Sequence, residues 1–406
     1  MNNSIGQKAV RILTINSGSS SVKVGLYEMG EPEGFVLSGS LERIGLRASV
    51  FRIKDSNGRP LIDEHADLPD HEAALKRLFE WLEEHEPDQS LDAVGHRVVH
   101  GGSKYNRPHV ITSALLAELK DLVHLAPDHL PHEIKAIQAT GRSYPELAQV
   151  ACFDTAFHRH MPKPAQIYAL PRHYQHEGLF RYGFHGLSYE YILQELRKEA
   201  GEEVAGGRVI IAHLGNGASM AAIQHGKSMD TTMGFTPAGG LVMSTRSGDL
   251  DPGVLIYLLE EKGLRPSGLN DLVNRQAGLL GVSGISSDMK DLLDKEEDEV
   301  HAREAVDLFC YQASKHLGAL AAVLGGLDTL VFTGGIGENA PAVRERICQN
   351  MSFLGIHLDD QRNGANAAII SRGDGPVTVR VMRTDEDLMI ARHTYALIRE
   401  NQQISD

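Results

Sequence analysis

Twice in this chain an apolar, β-branched run breaks into a short Gly-rich polar tip and then resumes as a second run. The first copy is Ile12-Leu13-Thr14-Ile15-Asn16-Ser17-Gly18-Ser19-Ser20-Ser21-Val22-Lys23-Val24-Gly25-Leu26-Tyr27. The second is Val209-Ile210-Ile211-Ala212-His213-Leu214-Gly215-Asn216-Gly217-Ala218-Ser219-Met220-Ala221-Ala222-Ile223. Each reads as a β-hairpin whose tip presents backbone amides and polar side chains. Gly18 lets the chain turn tightly and leaves no Cβ in the way of a ligand. Ser19 and Ser21 can donate to phosphate oxygens, and Lys23 adds a cation. One such hairpin reads equally as an ordinary Ser/Gly turn. Two, each opening a half of the chain, predict a duplicated α/β architecture with a nucleotide held between two phosphate-binding tips.

At 406 residues the chain exceeds one ordinary core, so two domains are expected. With 42% hydrophobic and 23% charged residues, it has the composition of a soluble globular protein. The net charge of −14 argues against nucleic acid as the main partner, because phosphate backbones are bound by clustered Lys and Arg. Cys152, Cys310 and Cys348 are scattered and odd in number, which fits a reducing cytoplasm and offers no zinc spacing. The first residues lack the apolar core of a signal peptide. The apolar stretch Leu317 to Leu324 is too short to span a bilayer, so a cytosolic protein with no membrane partner is expected.

Ser49 to Lys54 and Leu61-Ile62 flank Asn57-Gly58, a turn signal that extends the antiparallel start of the first domain. Leu75, Leu78, Phe79 and Leu82 recur at helical spacing behind Asp70, a candidate N-cap. Ala93 to Val99 is a strand running into Gly101-Gly102, and Ala148 to Phe153 is a buried strand that ends in Asp154. Ligands of open α/β sheets gather beyond the carboxyl ends of strands. Asp154 is therefore placed for chemistry, or alternatively caps a helix beginning at Thr155. Lys227 to Pro252 shows neither helical nor strand periodicity and reads as a long functional loop. After the strand Thr329 to Phe332, Thr333-Gly334-Gly335-Ile336-Gly337-Glu338-Asn339 opens a helix, a geometry that brings a nucleotide to backbone amides. A last helix from about Asp385 to Glu400 is expected to cross back onto the first domain. The predicted domains are thus 1–150 with 385–406, and 151–384.

A phosphoryl group in flight needs cations or donors around its oxygens, a metal on the nucleotide phosphates and in-line positioning. Arg97 and Arg246, with small or apolar neighbours at a strand end and in a Gly-rich loop, are the candidate cations. His185 and His213 sit beside glycines, where a ring nitrogen either donates to an anion or is simply hydrogen-bonded structure. His158 and His160 lack a third metal ligand and are read as structural. Asn16 and Glu386 are candidate oxygen ligands for magnesium, meeting at the domain junction.

Together these residues resemble the acetate kinase family. Asn16 to Lys23 is similar to its first signature, and Met233 to Pro237 through Met243 to Asp249 to its second. Similar blocks run from Gly95 to Gly102, Phe153 to His158, Tyr182 to Gly186, His213 to Gly217, Gly284 to Asp288, Gly334 to Asn339 and Thr384 to Leu388. The resemblance implies the two-domain fold of the sugar kinase, Hsp70 and actin superfamily, with the nucleotide cleft between the domains. It also implies reversible transfer of the ATP γ-phosphate to acetate, giving acetyl phosphate and ADP, with magnesium (or manganese), in a homodimer. Carried over, Asn16 and Glu386 hold the metal and Lys23 sits near the phosphates. Arg97 and Arg246 grip carboxylate and phosphoryl group, His185 stabilises the transition state and Asp154 is the essential acid. The nucleotide lies on His213, Leu214, Gly215, Asn216 and Gly217, on Asp288, Met289 and Lys290, and on Gly335, Ile336, Gly337, Glu338 and Asn339. Val99, Phe184 and Pro237 form the pocket for the methyl group.

Chemistry qualifies one role. Acetate is already ionised at neutral pH, its pKa lying near roughly 4–5, so attack needs no general base and Asp154 is expected to orient an arginine or assist the metal. The chain departs from the family pattern at Asp128, Leu130, Leu187, Tyr189, Gly239 and Met289-Lys290. Asp128 either bears on the acid preferred or, if exposed or pointing away, is neutral, and Met289-Lys290 bears on adenine selectivity. Propionate and butyrate are neighbouring acceptors. An ATP-gated binding module and a sugar kinase are the competing classes. The first has no use for paired arginines around an apolar pocket, and the second needs a base and a polar one.

Overall fold

The computed structural model describes residues 9–86 and 90–405. The opening residues, read above as lacking a signal-peptide core, lie mostly outside them. The chain divides into two compact units, Met1–Ala156 with Asp385–Asp406 and Phe157–Thr384.

The first unit is built on an eight-stranded sheet. Its strands are β1 (Val10–Ser17), β2 (Ser21–Met29), β3 (Gly34–Glu42), β4 (Ser49–Asp55), β5 (Pro60–Ala66), β6 (Ala93–Val98), β7 (His109–Val110) and β8 (Ala148–Phe153), in the order β5-β4-β3-β2-β1-β6-β8-β7. The first hairpin pairs Val10 with Met29 through to Ser17 with Val22, and puts Asn16 opposite Lys23. Gly18 N–H bonds Ser21 O at 2.7 Å, closing the tip.

Alternation along β1 decides what covers the sheet. Leu13 and Ile15 face the helix His71–His85, whose Ala74, Leu75, Leu78, Phe79 and Leu82 form the core on that side. Ile12 faces the opposite way with Tyr27, Met29 and Ala93, beneath Ala391, Leu388 and Tyr395 of the helix Glu386–Ser405. Each such apolar side chain stabilises the unit by about 1.5–3 kcal/mol when fully buried. That helix comes so close to β6 that a Cβ on Gly95 would lie 2.4 Å from Thr394 Oγ1 and 2.5 Å from Ile390 Cγ2. Asp70 caps the His71–His85 helix, its Oδ1 accepting from Ala73 N–H at 2.9 Å.

The second unit holds a five-stranded sheet. Its strands are β9 (Val209–Leu214), β10 (Ala218–Gln224), β11 (Lys227–Thr231), β12 (Thr329–Thr333) and β13 (Thr378–Val381), ordered β11-β10-β9-β12-β13. Here β10 is antiparallel to both β11 and β9, while β12 runs parallel to both β9 and β13. In the first unit β3, β2, β1, β6 and β8 repeat the same directions in the same order. The duplicated mixed-sheet core expected from the twin hairpins is present.

Three local readings change. Lys227–Thr231 is the edge strand β11 and not the start of a loop; at five residues its alternation is too short to register as a pattern. The β4–β5 turn spans four residues, because Asp55 Oδ1 accepts from both Asn57 and Arg59 N–H at 2.9 Å and widens it. Gly334–Asn339 is itself helical, directly following β12, so the glycines form the first turns instead of preceding them.

Candidate active site

In the first unit the candidate residues gather where β1, β6 and β8 end. Asp154 follows β8, and its N–H bonds Val98 O of β6 at 3.0 Å, which aligns the two strand ends. Its carboxylate is 1% exposed. Oδ2 accepts from Arg97 Nη2 at 2.6 Å and from Nε at 3.1 Å. Arg97 Nη1 donates to Asn16 Oδ1 at 3.3 Å and lies 3.9 Å from Glu386 Oε2. Burial alone would lower the pKa of this guanidinium, but Asp154 and Glu386 outweigh it and raise it further. Arg97, Asp154, Asn16 and Glu386 thus form one fixed group. Asn16 and Glu386, expected to meet at the domain junction, are brought together by Arg97 within the first unit. Lys23 is exposed across from Asn16.

Two buried polar atoms of the first unit are unsatisfied. Ser17 Oγ, at the hairpin tip, is buried with no hydrogen-bond partner among the described residues, and so is Asp387 Oδ1 beside Glu386. Burial, together with Asp385 and Glu386, pushes the Asp387 carboxyl up to about 7. His71 Nε2–H donates to Gly18 O at 2.7 Å and steadies the tip from behind.

In the second unit His185 stands just before the helix Gly186–Ala200 with φ 57°, a left-handed conformation that costs a non-glycine residue energy and recurs at functional sites. His185 Nδ1 is 2.8 Å from Ser219 Oγ, which also hydrogen-bonds the Tyr189 hydroxyl, so the Tyr189 departure lies in the network behind this ring. The ring stacks on His213 at 4.3 Å, and His213 Nδ1 is held by Ser188 Oγ at 2.8 Å. Arg246 Nη1 donates to Pro237 O at 3.3 Å. A Cβ on Gly217 would lie 3.2 Å from His185 Nε2 and 3.5 Å from Arg246 Nη1, so only glycine leaves that approach clear. Phe184 is buried, and its carbonyl accepts from His158 Nε2–H at 3.0 Å. With its other nitrogen 2.8 Å from Ser228 Oγ, His158 is a satisfied core histidine.

The remaining nucleotide candidates fall into two sets. An added Cβ on Gly215 would lie 3.9 Å from Gly335 N, so the β9–β10 tip and the Gly334–Asn339 helix adjoin. Gly335 is exposed and unobstructed, whereas Gly337 packs beside Ala212 O and Phe332 C. Asn216 Oδ1 accepts from Ser244 Oγ at 3.2 Å, and Asn339 Nδ2 donates to Gly335 O at 2.9 Å. Glu338 Oε1 accepts from Gly334 N–H at 3.0 Å and Thr384 N–H at 3.2 Å, a bracing position. Asp288 caps the helix Met289–Lys295 through Lys290 N–H at 2.8 Å. Met289 is buried and Lys290 exposed. Sequence reading missed Arg344, which is wholly buried and donates from Nη1 to Gly337 O at 2.8 Å and Glu338 O at 3.1 Å.

The pattern of the acetokinase family matches residues 11–392. This chain belongs to the acetokinase family. An acetate kinase of Rhodopseudomonas palustris strain TIE-1 is 48% identical over 394 residues, covering 95% of this chain and 98% of the relative. The crystal structure of Porphyromonas gingivalis acetate kinase superposes with a TM-score of 0.88 at 40% identity, covering 96% of this chain and 100% of that one. A propionate kinase from Francisella tularensis superposes with a TM-score of 0.89 at 34% identity, covering 95% and 98%. Among the described residues, no helix is long and apolar enough to cross a membrane.

Proposed function

We propose that this chain transfers the γ-phosphoryl group of ATP to acetate, reversibly, giving acetyl phosphate and ADP. The observation that carries this reading is the guanidinium of Arg97, held at strand ends by a buried carboxylate beside two oxygen donors. A family member with this arrangement has a fixed cation for a small carboxylate and ligands for a hard divalent ion.

The acetate oxygen attacks the γ-phosphorus in line while the bond to the ADP oxygen breaks. Arg97 orients the acetate carboxylate, and Val99, Phe184 and Pro237 are assigned to its methyl group. Asp154 holds Arg97 in place and takes no proton, since acetate arrives ionised. Arg246 and His185 supply donors to the phosphoryl oxygens, and electrostatic positioning of this kind dominates phosphoryl transfer. The nucleotide is assigned to His213–Gly217, Asp288–Lys290 and Gly335–Asn339, with Lys23 near its phosphates.

Asn16 and Glu386 fit magnesium. Their donors are oxygen, and the orphaned Asp387 Oδ1 is an acceptor within the same acidic segment. Among the described residues no three His, Cys, Asp or Glu side chains form a cage. Magnesium on a nucleotide needs only one or two protein oxygens besides phosphates and water. When bound it neutralises phosphate charge.

A homodimer and a cytoplasmic setting complete the proposal. The helix Pro252–Glu260 is apolar along most of its length, yet none of its residues is buried, with Val254, Ile256 and Tyr257 44%, 53% and 50% exposed. A helix apolar all round ordinarily lies buried, so a partner surface is expected there. Cys152, Cys310 and Cys348 are buried and scattered along the chain, which fits a reducing compartment.

Trapping acyl phosphate with hydroxylamine tests the reading, using acetate, propionate and butyrate as acceptors and ATP, GTP and pyrophosphate as donors. Acetate with ATP and magnesium should give hydroxamate, and Arg97→Ala and Arg246→Ala should abolish it. Propionate should react too, since one methylene discriminates by only about 1–3 kcal/mol. No product from any acid, or full activity in both arginine variants, overturns the assignment.

A further inference from the structure

Glu133 lies in the first turn of the helix Leu130–Ser143 and is 2% exposed, so its carboxyl is shut away from water. Burying an ionisable group is costly unless it has a specific partner. The partner is the backbone N–H of Val99, which lies 3.1 Å from Oε2 and 3.3 Å from Oε1. Burial pushes the carboxyl up to about 8, against the opposing pull of the Val99 N–H and Arg97. At neutral pH it is therefore mostly the neutral acid, and one of its oxygens remains an acceptor for the amide.

Val99 is the first residue beyond β6, where the chain bends away from the sheet. The strand end is anchored on one side by Asp154 N–H on Val98 O. Glu133 anchors the next amide from a different element. Arg97 has its own restraint from Asp154, so the amide of Val99 depends on Glu133 more than the guanidinium does.

We propose that Glu133 is a positioning residue for the acid substrate, fixing the Val99 backbone and so the place of the Val99 side chain that the acyl chain meets. This rests on the functional reading above, in which Val99 is assigned to the substrate's methyl group. Removing the acceptor frees the Val99 amide to turn toward another partner, and the side chain moves with it. The consequence falls on the choice between acetate and propionate more than on turnover.

The experiment compares the full-length wild type with Glu133→Gln and Glu133→Ala. It measures kcat and KM for acetate and propionate, with thermal melting to establish folding. In Glu133→Ala the acetate KM should rise about tenfold and the acetate-to-propionate ratio of kcat/KM should fall about fivefold, on the scale of one methylene, with kcat changing little. Glutamine keeps an acceptor oxygen of the same reach and should restore most of the ratio. If the alanine variant does not fold, Glu133→Asn, one methylene too short to reach Val99, takes its place. An unchanged ratio in the short variant, or an equal loss in Glu133→Gln, overturns this inference and leaves the functional reading intact. A wild type that phosphorylates neither acid overturns both.

Discussion

Replacing Asp154 by asparagine separates positioning from proton transfer. The carboxylate makes two charge-assisted bonds to Arg97, at 2.6 and 3.1 Å, from a site almost closed to solvent. Asparagine keeps an oxygen in place but removes the charge. The guanidinium keeps its own charge, so both bonds stay charge-assisted from the donor side; what disappears is the ion pairing with a buried carboxylate, about 2–3 kcal/mol of restraint on the guanidinium. If that restraint is felt in the transition state, kcat/KM falls about a hundredfold, at 1.36 kcal/mol per factor of ten. The loss stops short of complete, because Asn16 and Glu386 still lie near Nη1. Hydroxamate formation followed from pH 6 to 9 supplies the readout. A positioning role predicts the same deficit throughout, since no proton is taken. A variant within threefold of wild type, or a deficit that shrinks steadily as pH rises, refutes the reasoning.

Other outcomes follow from the same geometry. Glu386→Ala should raise the magnesium concentration for half-maximal activity at least tenfold, read by metal titration at fixed ATP, and an unchanged requirement removes Glu386 from the metal site. Gly217→Ala puts a methyl 3.2 Å from His185 Nε2 and 3.5 Å from Arg246 Nη1, so kcat should drop while the melting temperature holds; unchanged kcat would show that the approach to these groups is not used. His158 is held neutral, its pKa lowered to about 4 by burial despite the Phe184 carbonyl. The unfolded chain therefore takes up more protons below its ordinary value, and stability is lost as pH falls from 6.5 toward 4, by up to about 3 kcal/mol. Melting at pH 7 and pH 5 should show a smaller acid shift in His158→Gln than in wild type. Parallel shifts count against that account.

Much of this was readable in the chain itself, for identifiable reasons. The twin hairpins announce themselves because an apolar run broken by Gly and Ser has few other uses, and Asp70 sits at a cap position set by local bonding alone. Arg97 and Asp154 stood out because they end apolar strands. Glu133 did not, since a charged residue in a helical pattern is normally solvated and only the fold reveals that this one is enclosed. Arg344 escaped for the same reason: its role depends on carbonyls of Gly337 and Glu338 and on Asn363, a loop away. The identity of the residues opposite Asn16 was local, whereas the company of Glu386 needed the chain to return to β1.

That return has a consequence for biosynthesis. The helix Glu386–Ser405 covers one face of the first sheet and carries a proposed metal ligand, yet a ribosome makes it only after the whole of Phe157–Thr384. The opening sheet must wait, one apolar face uncovered, while the later unit emerges and can fold ahead of it. The proposed metal ligand thus joins its unit only after the second unit has been made, and a product halted before Asp385 would leave that face bare for other proteins to bind.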